Sequence, residues 1–267
     1  MVAAHIQDFG LELTCNSKVG WAFSLPRKET CINSTQICRD LCYGRGIRYQ
    51  SEAQKNKRQR NYRTVMFLLE KGGPELLAQN LSDLVDLARP IDWLAAQIMG
   101  QPTKLPYTLR LQDVGDAFSA PYAAAWVLTV QQRPQCKFWF YTRSFRHQDV
   151  FEELCKLAAL PNCQGWLSLD AENFSEGIAA FYKKPGLWKL ALLQDNQDSL
   201  PLELLPRIEP QVTAGNIVNF PYHAGGYHVE PIKDECVTTC PQVVGSYPLE
   251  RSRLKLKPCQ ACTFCLP

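Results

Sequence analysis

The chain of 267 residues lacks any apolar run that approaches the roughly 18 uninterrupted residues of a membrane span. Its amino terminus, MVAAHIQDFG, has no basic region followed by an apolar core, so it lacks the pattern of a secretory leader. Both absences predict a cytoplasmic protein with no membrane partner. The chain also has no phosphate-binding glycine loop, dinucleotide fingerprint, nucleophile elbow or solenoid-length repeat, which counts mildly against a conventional enzyme.

Cysteine, in contrast, is abundant: the chain has twelve, in a composition that is 46% apolar and 21% charged. That composition is typical of a globular protein large enough to fold without covalent staples. Because cytosolic thiols are kept reduced, we expect the cysteines to bind metal and not to form disulfides. The twelve predicted metal ligands are Cys15, Cys31, Cys38, Cys42, Cys136, Cys155, Cys163, Cys236, Cys240, Cys259, Cys262 and Cys265.

The carboxy-terminal stretch CQACTFC, residues 259–265, carries the strongest metal-binding pattern. Its spacing, C-x2-C-x2-C, is the hallmark of [4Fe-4S] binding in bacterial ferredoxins, in which a distant Cys-Pro supplies the fourth thiolate. Cys240, which precedes Pro241, matches that partner. Zinc is the main alternative, although structural zinc sites usually use two separate C-x2-C pairs. The first predicted cluster ligands are Cys240, Cys259, Cys262 and Cys265.

A second cysteine group, with the spacing C-x6-C-x3-C, follows the first predicted strand. It offers three thiolates, so a fourth ligand must come from elsewhere. Cys236 is the candidate, because the C-x3-C-P segments of ferredoxins divide their two cysteines between neighbouring clusters. Sharing of this kind would bring two clusters within electron-tunnelling distance. The second predicted ligand set is Cys31, Cys38, Cys42 and Cys236.

Four cysteines remain outside these two groups, and twelve divides evenly into three sets of four. We therefore predict three [4Fe-4S] clusters. The alternative is that the remaining four are ordinary buried thiols, since free cysteine is often found in cores. Each oxidised cluster with four thiolates carries about −2, so the formal charge of +3 would counterbalance buried anions and would not indicate nucleic-acid binding. The third predicted set is Cys15, Cys136, Cys155 and Cys163.

The rest of the pattern predicts an α/β fold, because strand-like runs alternate with helical stretches and favour βαβ units in a parallel sheet. About five strands are too few for an eight-stranded barrel of about 250 residues, so we predict a truncated TIM-like β/α barrel over residues 1–200. Residues 201–267 are interpreted as a ferredoxin-like cluster-binding module that depends on metal for stability. The predicted strands span 21–26, 108–114, 137–143, 165–170 and 188–194. The predicted helices span 51–70, 119–132, 147–160 and 174–183, with a further helix that starts at Gly73 and Pro74 and continues through Ala88.

Several segments, in their order along the chain, resemble the phage gene-product-88-like family: FSLPRKETC, CRDLCYG, LRLQDVGDAFS, FYTRSF, LSLD and the terminal CP with CQACTFC. The likeness covers nearly the whole chain. Members look like shortened relatives of the radical SAM barrel, with a three-cysteine loop after the first strand and an iron–sulfur motif at the carboxy terminus. The resemblance therefore implies a truncated TIM-like barrel joined to a ferredoxin-like module, and it implies no particular reaction.

One spacing departs from the radical SAM pattern. The radical SAM loop, C-x3-C-x2-C, leaves one iron open for SAM, whereas this chain has C-x6-C-x3-C and enough cysteines to bind every iron. A cluster whose irons all carry thiolates has no site for SAM. We therefore favour ferredoxin-like electron transport, with an unidentified redox partner protein, over an enzyme. The alternative is an iron–sulfur enzyme with one open iron that acts on a small substrate.

Two other features allow different interpretations. Charged side chains follow the predicted strands, where barrel enzymes place catalytic groups, and they could act as acid and base or form structural ion pairs. The basic segment 45–63 could contact phosphates, although a solvent-facing helix is the commoner explanation and a surface for an acidic redox partner is another. Binding to nucleic acid is not expected. The charged residues are Asp113, Asp116, Arg143, Asp170 and Asp195.

Overall fold

The computed structural model describes residues 10–103, 106–196, 200–205, 216–224, 227–234, 236–241, 243 and 257–267. The strands within these residues are β1 (Thr14–Asn16), β2 (Gly20–Ala22), β3 (Thr108–Arg110), β4 (Lys137–Thr142), β5 (Cys163–Leu169), β6 (Lys189–Gln194), β7 (Ile217–Pro221), β8 (His223–Ala224), β9 (Tyr227–His228) and β10 (Thr238–Thr239). Eight of them form one sheet in the order β1 to β7 followed by β10, and β8 and β9 form a separate hairpin. Within the large sheet only β1 and β2 run antiparallel, so the fold is a mostly parallel α/β fold, as predicted.

The helices follow the sequence pattern closely in the middle of the chain. Ser51 begins the longest helix as predicted, because its hydroxyl accepts a hydrogen bond from the Gln54 amide (3.4 Å). That helix bends at Gly73, which has a φ of 65° and is followed by Pro74. The described helices are α1 (Arg27–Thr30), α2 (Gln36–Asp40), α3 (Ile47–Gln50), α4 (Glu52–Asp86), α5 (Trp93–Met99), α6 (Ala120–Gln132), α7 (Gln148–Ala158), α8 (Phe174–Lys183) and α9 (Pro258–Cys262).

The two faces of the sheet have different partners. Right-handed crossovers between consecutive parallel strands place the intervening helices on one face, provided that the strand order does not reverse. Along β4, Phe138 and Phe140 accordingly belong to the main core, together with apolar side chains of α4, α6, α7 and α8. Trp139 and Tyr141, which alternate with them, lie on the opposite face beside Leu266 and other residues of the carboxy-terminal segment. This second face is therefore available for the site.

The sheet also continues beyond the predicted strands. The strands predicted between residues 108 and 194 are confirmed as β3 to β6, whereas β1, β7 and β10 were not predicted. Both β7 and β10 come after residue 200 and pair in parallel, β7 with β6 and β10 with β7. The segment interpreted as a separate module thus supplies two strands to the common sheet. None of the helices in the described ranges has the length and apolar character needed to cross a membrane.

Candidate metal centre

The face of the sheet opposite the helices borders a cavity of about 520 Å³. Its walls include Tyr141 of β4, Leu193 of β6 and Phe220 of β7, so several strands contribute to one continuous surface. Residues from both predicted cysteine groups reach this cavity, although the two groups are separated by most of the sequence. The cysteines that line it are Cys31, Cys38, Cys42, Cys240, Cys259 and Cys265.

The carboxy-terminal group is fixed to the sheet at both of its ends. The Cys259 amide donates a hydrogen bond to the Lys18 carbonyl (3.0 Å), in the turn between β1 and β2. The Trp166 indole of β5 donates to the Cys265 carbonyl (3.2 Å). Between these anchors, Thr263 has a φ of 58° and turns the chain just after α9. The segment that carries the C-x2-C-x2-C motif is therefore held in a defined position.

All four predicted ligands of this group lie close together. Cys240 follows β10, and its amide donates to the Asn219 carbonyl of β7 (3.0 Å), which brings it to the same face. Burial raises the pKa of the Cys265 thiol to about 12, and the three other thiols of the predicted set add to the increase because they are nearby. Burial likewise raises the pKa of Cys259 to about 11. The structure thus assembles Cys240, Cys259, Cys262 and Cys265.

The second group lies in the segment after β2, where α1 and α2 arrange three thiols. The Cys31 amide donates to the Arg27 carbonyl (2.9 Å) at the end of α1. Cys38 lies in α2, and Cys42 follows shortly after that helix. Burial raises the pKa of Cys31, and nearby Asp116 and the other two thiols raise it further. Cys31, Cys38 and Cys42 are therefore neighbours in space.

The predicted charged residues at the strand ends support this second group. Asp170, which follows β5, forms an ion pair with Arg143 (2.6 Å), and their side chains are only 0% and 7% exposed. Asp170 also accepts a hydrogen bond from the Thr35 hydroxyl (2.5 Å), which in turn accepts from the Cys38 amide (3.0 Å). These charged groups have structural partners, and the chain of contacts positions the loop that carries Cys38.

Asp116 has a comparable role beside Cys31. Its carboxylate accepts hydrogen bonds from the Arg143 amide (2.8 Å), the Thr142 hydroxyl (2.8 Å) and its neighbour, the Ala117 amide (2.7 Å). Burial nevertheless raises the pKa of Asp116, because desolvation outweighs these hydrogen bonds. Of the other predicted residues, Asp113 is buried after β3, and Asp195 follows β6. Asp116 is therefore held at the end of β4, with its charge near the Cys31 thiol.

Cations lie beside both groups of thiols. Arg27 lowers the pKa of Cys31, and Arg143 lowers that of Cys38, in each case against the larger effect of burial. Lys18 and Arg110 act in the same way on Cys259. A metal ligand must be a thiolate, and nearby positive charge stabilises that form. The neighbouring cations therefore offset part of the burial that keeps these sulfurs protonated.

The structure adds a residue that the sequence analysis missed. The Tyr141 hydroxyl donates a hydrogen bond to Cys265 Sγ (2.9 Å), across a separation of 124 residues. The alternation along β4 places Tyr141 on the face away from the helices. The sequence does not, however, indicate which residue of the carboxy-terminal segment lies against Tyr141. The contact could be found only after the fold was known.

The third predicted set is not brought together. Cys136 and Cys163 are buried and adjacent at the beginnings of β4 and β5, whereas Cys155 lies on α7 and packs against the main core. Cys15 is exposed on β1, three strand spacings from β4, which is about 14 Å. Cys236, predicted as the fourth ligand of the second group, is not among the described residues that line the cavity.

We accordingly expect Cys15→Ser and Cys163→Ser to retain the full iron content of the wild-type protein. Cys15 is too far from the other three cysteines of its set to share a cluster with them. Iron per chain, measured by mass spectrometry on anaerobically purified protein, checks this expectation. A loss of about four iron atoms in either variant would show that a third cluster exists.

The donor types at the carboxy-terminal group are those that iron–sulfur clusters use. It offers four thiols, neighbouring cations, and an aromatic cover in which the Trp166 and Phe264 rings lie 5.7 Å apart. Within the described ranges, no three histidine, cysteine, aspartate or glutamate side chains are placed to hold a single metal ion. The other group offers three thiols of the same kind.

Comparisons with known proteins agree with the resemblance seen in the motifs. The chain is 28% identical over 134 residues to the gene 88 protein of Mycobacterium phage L5, covering 48% of this chain and 50% of the relative. It is 26% identical over 178 residues to the gene 88 protein of Mycobacterium phage D29, covering 64% of this chain and 66% of the relative. The alignments therefore span half to two thirds of the relatives' length. No solved structure matches the chain. Because the gene product 88 family matches residues 6–266, the chain belongs to this family.

Proposed function

We propose that this protein is a polycluster iron–sulfur protein that moves single electrons. The observation that carries the proposal is that two groups of cysteines, distant in sequence, line one cavity on the face of the sheet opposite the main core. Cys240, Cys259, Cys262 and Cys265 would hold one [4Fe-4S] cluster, hereafter the terminal site. Cys31, Cys38 and Cys42 would hold three corners of a second, hereafter the loop site. When bound, such clusters supply reversible one-electron chemistry.

The surrounding residues would set the conditions for that chemistry. Trp166 lies beside Phe264, with the ring centroids 5.7 Å apart, and the two rings would exclude water from the terminal site. Lys18 and Arg110 would balance the negative charge of the terminal thiolates, and Arg27 and Arg143 would do so at the loop site. Solvent exclusion and local charge are two of the factors that determine cluster potentials.

The fold proposed for this function is a truncated β/α barrel with a ferredoxin-like carboxy-terminal segment. Consecutive parallel strands with helices on one face are the arrangement that a partial barrel requires, and the described sheet has it. The terminal segment supports the second half of the proposal, because its four cysteines follow the ferredoxin pattern and lie together. The fourth ligand Cys236 and the third cluster stay predictions.

We propose further that the protein works in the cytoplasm with a redox partner protein. The basic segment 45–63 is less available for such a partner than the sequence suggests. Arg58 is buried and donates to the Tyr49 carbonyl (2.7 Å), and Lys57 donates to the Leu13 carbonyl (3.2 Å). These contacts within the chain also weaken the case for phosphate binding by this segment.

A second candidate is an iron–sulfur enzyme, radical-SAM-like or otherwise, with one open iron at the loop site. The observation in its favour is that the described residues lining the cavity include three loop-site cysteines and no fourth cysteine beyond those of the terminal site. The loop site faces a cavity that would accommodate a small substrate. Asp116 and Arg143 border the same space and could position such a molecule.

Iron and acid-labile sulfide measured on anaerobically purified protein test both candidates. We expect about eight iron atoms per chain for two clusters and about twelve if a third is bound. A cluster spectrum that changes on addition of SAM would favour the enzyme, and an unchanged spectrum would favour the electron carrier. A colourless protein that contains zinc and no iron would contradict both.

A further inference from the structure

We propose that Tyr141 and Arg110 form a bridge between the terminal site and the loop site: Tyr141 tunes the terminal cluster, and Arg110 acts electrostatically on both clusters. The inference rests on the proposed function, since it concerns clusters at these two sites. Both are positioning residues that act through contacts with cysteines and aromatic rings.

Tyr141 is the part of the bridge that contacts the terminal site. Its hydroxyl donates to Cys265 Sγ at 2.9 Å, which is short for a hydrogen bond to sulfur. The ring is held between Trp166 (centroids 6.0 Å apart) and Phe220 (5.8 Å). Because the ring is packed between a residue of β5 and a residue of β7, the hydroxyl has little freedom to turn away from the sulfur.

Arg110 connects this tyrosine to the loop site. Its guanidinium lies 5.0 Å from the Tyr141 ring centroid and 5.8 Å from that of Tyr43. It also donates to the Tyr43 hydroxyl (3.0 Å), and Tyr43 directly follows Cys42. The contacts therefore run from Tyr43, the sequence neighbour of Cys42, through Arg110 and Tyr141 to Cys265.

The Arg110 side chain is held in place by contacts with neighbouring residues. Its side chain is only 13% exposed, its Nε donates to the Gln112 carbonyl (2.8 Å), and its guanidinium lies 3.4 Å from Asp113. Asp113 offsets part of the positive charge. Lys18 and Lys189 also lie beside the terminal thiols, near Cys259 and Cys265 respectively, so Arg110 is one of several cations there. What distinguishes it is contact with aromatic residues of both sites.

These contacts have a predictable electrostatic effect. Reduction adds one electron to a cluster, supplied in the test by an external one-electron donor, and no bond forms or breaks. A hydrogen bond donated to a ligand sulfur stabilises the added negative charge and raises the reduction potential. A positive charge in a poorly solvated position also raises the reduction potential. Tyr141 acts on one site, whereas Arg110 acts on both.

The first test is Tyr141→Phe, which removes the hydroxyl and keeps the ring. At a fixed applied potential we expect the ratio of reduced to oxidised terminal cluster to fall about tenfold. This corresponds to a reduction potential about 59 mV lower for a one-electron couple. Tyr107→Phe is the matched control, because the buried Tyr107 hydroxyl donates to the Val85 carbonyl (3.1 Å) and does not face the cavity. Potentials are read by redox titration followed by electron paramagnetic resonance.

The second test compares Arg110→Gln with Arg110→Lys. We expect Arg110→Gln to lower the reduction potentials of both clusters. Arg110→Lys keeps the charge, so its reduction potentials should lie close to those of the wild-type protein. Full iron content with unchanged potentials in Tyr141→Phe would overturn this inference alone. Loss of the terminal cluster from Tyr141→Phe would make Tyr141 a structural residue and would also overturn it. A wild-type protein without iron would overturn the proposed function, and this inference with it.

Discussion

Asp170→Ala is expected to lower the free energy of unfolding by about 3–5 kcal/mol, the usual cost of removing one partner of a buried ion pair. The substitution leaves the Arg143 side chain, only 7% exposed, without its carboxylate at 2.6 Å. It also removes the acceptor for the Thr35 hydroxyl, which caps the helix that carries Cys38. Chemical denaturation followed by circular dichroism measures the change in stability.

The same variant should lose iron from the loop site while retaining it at the terminal site. Thr35 contacts both Asp170 and the Cys38 amide, so the loop loses its support when Asp170 is truncated. Glu153→Ala is a matched control, because it breaks an ion pair with Lys156 (2.6 Å) whose lysine is 62% exposed, and we expect it to cost less than about 1 kcal/mol. An Asp170→Ala protein as stable as this control would contradict the prediction.

The central strands and helices could be predicted from the sequence because their patterns are local. Each of β4 to β6 is at least six residues long and rich in aromatic or aliphatic side chains, and each is followed by a clear break. The start of α4 was predictable for the same reason, since the Ser51 cap involves only a residue three positions away.

The strands that were missed depend on tertiary contacts. β1 and β10 have three and two residues, too few to show a period, and they are strands only because a neighbour pairs with them. β7 is longer, but it lies in a segment whose prolines and cysteines suggested loops. A short edge strand carries little sequence signal because its stability comes from the partner.

The candidate site, like the fold, has features that local sequence patterns predict and features that depend on tertiary contacts. The spacing of Cys259, Cys262 and Cys265 is local and was sufficient to identify one group, and Cys240 was found through its proline. The C-x3-C-P segment predicted that the two groups lie near each other. The cavity that they share was not predictable, because it depends on which face of the sheet the main-core helices cover. For the scattered cysteines, the number of thiols suggested a third cluster, and the places of these residues in the topology give that prediction no support.

Cys265→Ser should have the largest effect on metal content. The Cys265 thiol is a member of the terminal group and is held by both the Tyr141 hydroxyl (2.9 Å) and, through its carbonyl, the Trp166 indole (3.2 Å). Serine keeps the size of the side chain but is a poor ligand for iron. We expect about four iron atoms per chain to be lost, with a matching loss of sulfide and of visible absorbance.

The matched control is Cys155→Ser, which alters a half-buried thiol on α7, away from the cavity, and should leave the iron content unchanged. The substitution at Cys265 should also lower the melting temperature more than the control does, since metal binding contributes folding free energy to the segment that it holds. Equal iron in both variants would show that Cys265 is not a ligand. Loss of one zinc in place of four irons would assign the terminal group to zinc, because a single tetrahedral ion needs the same four thiolates without any sulfide.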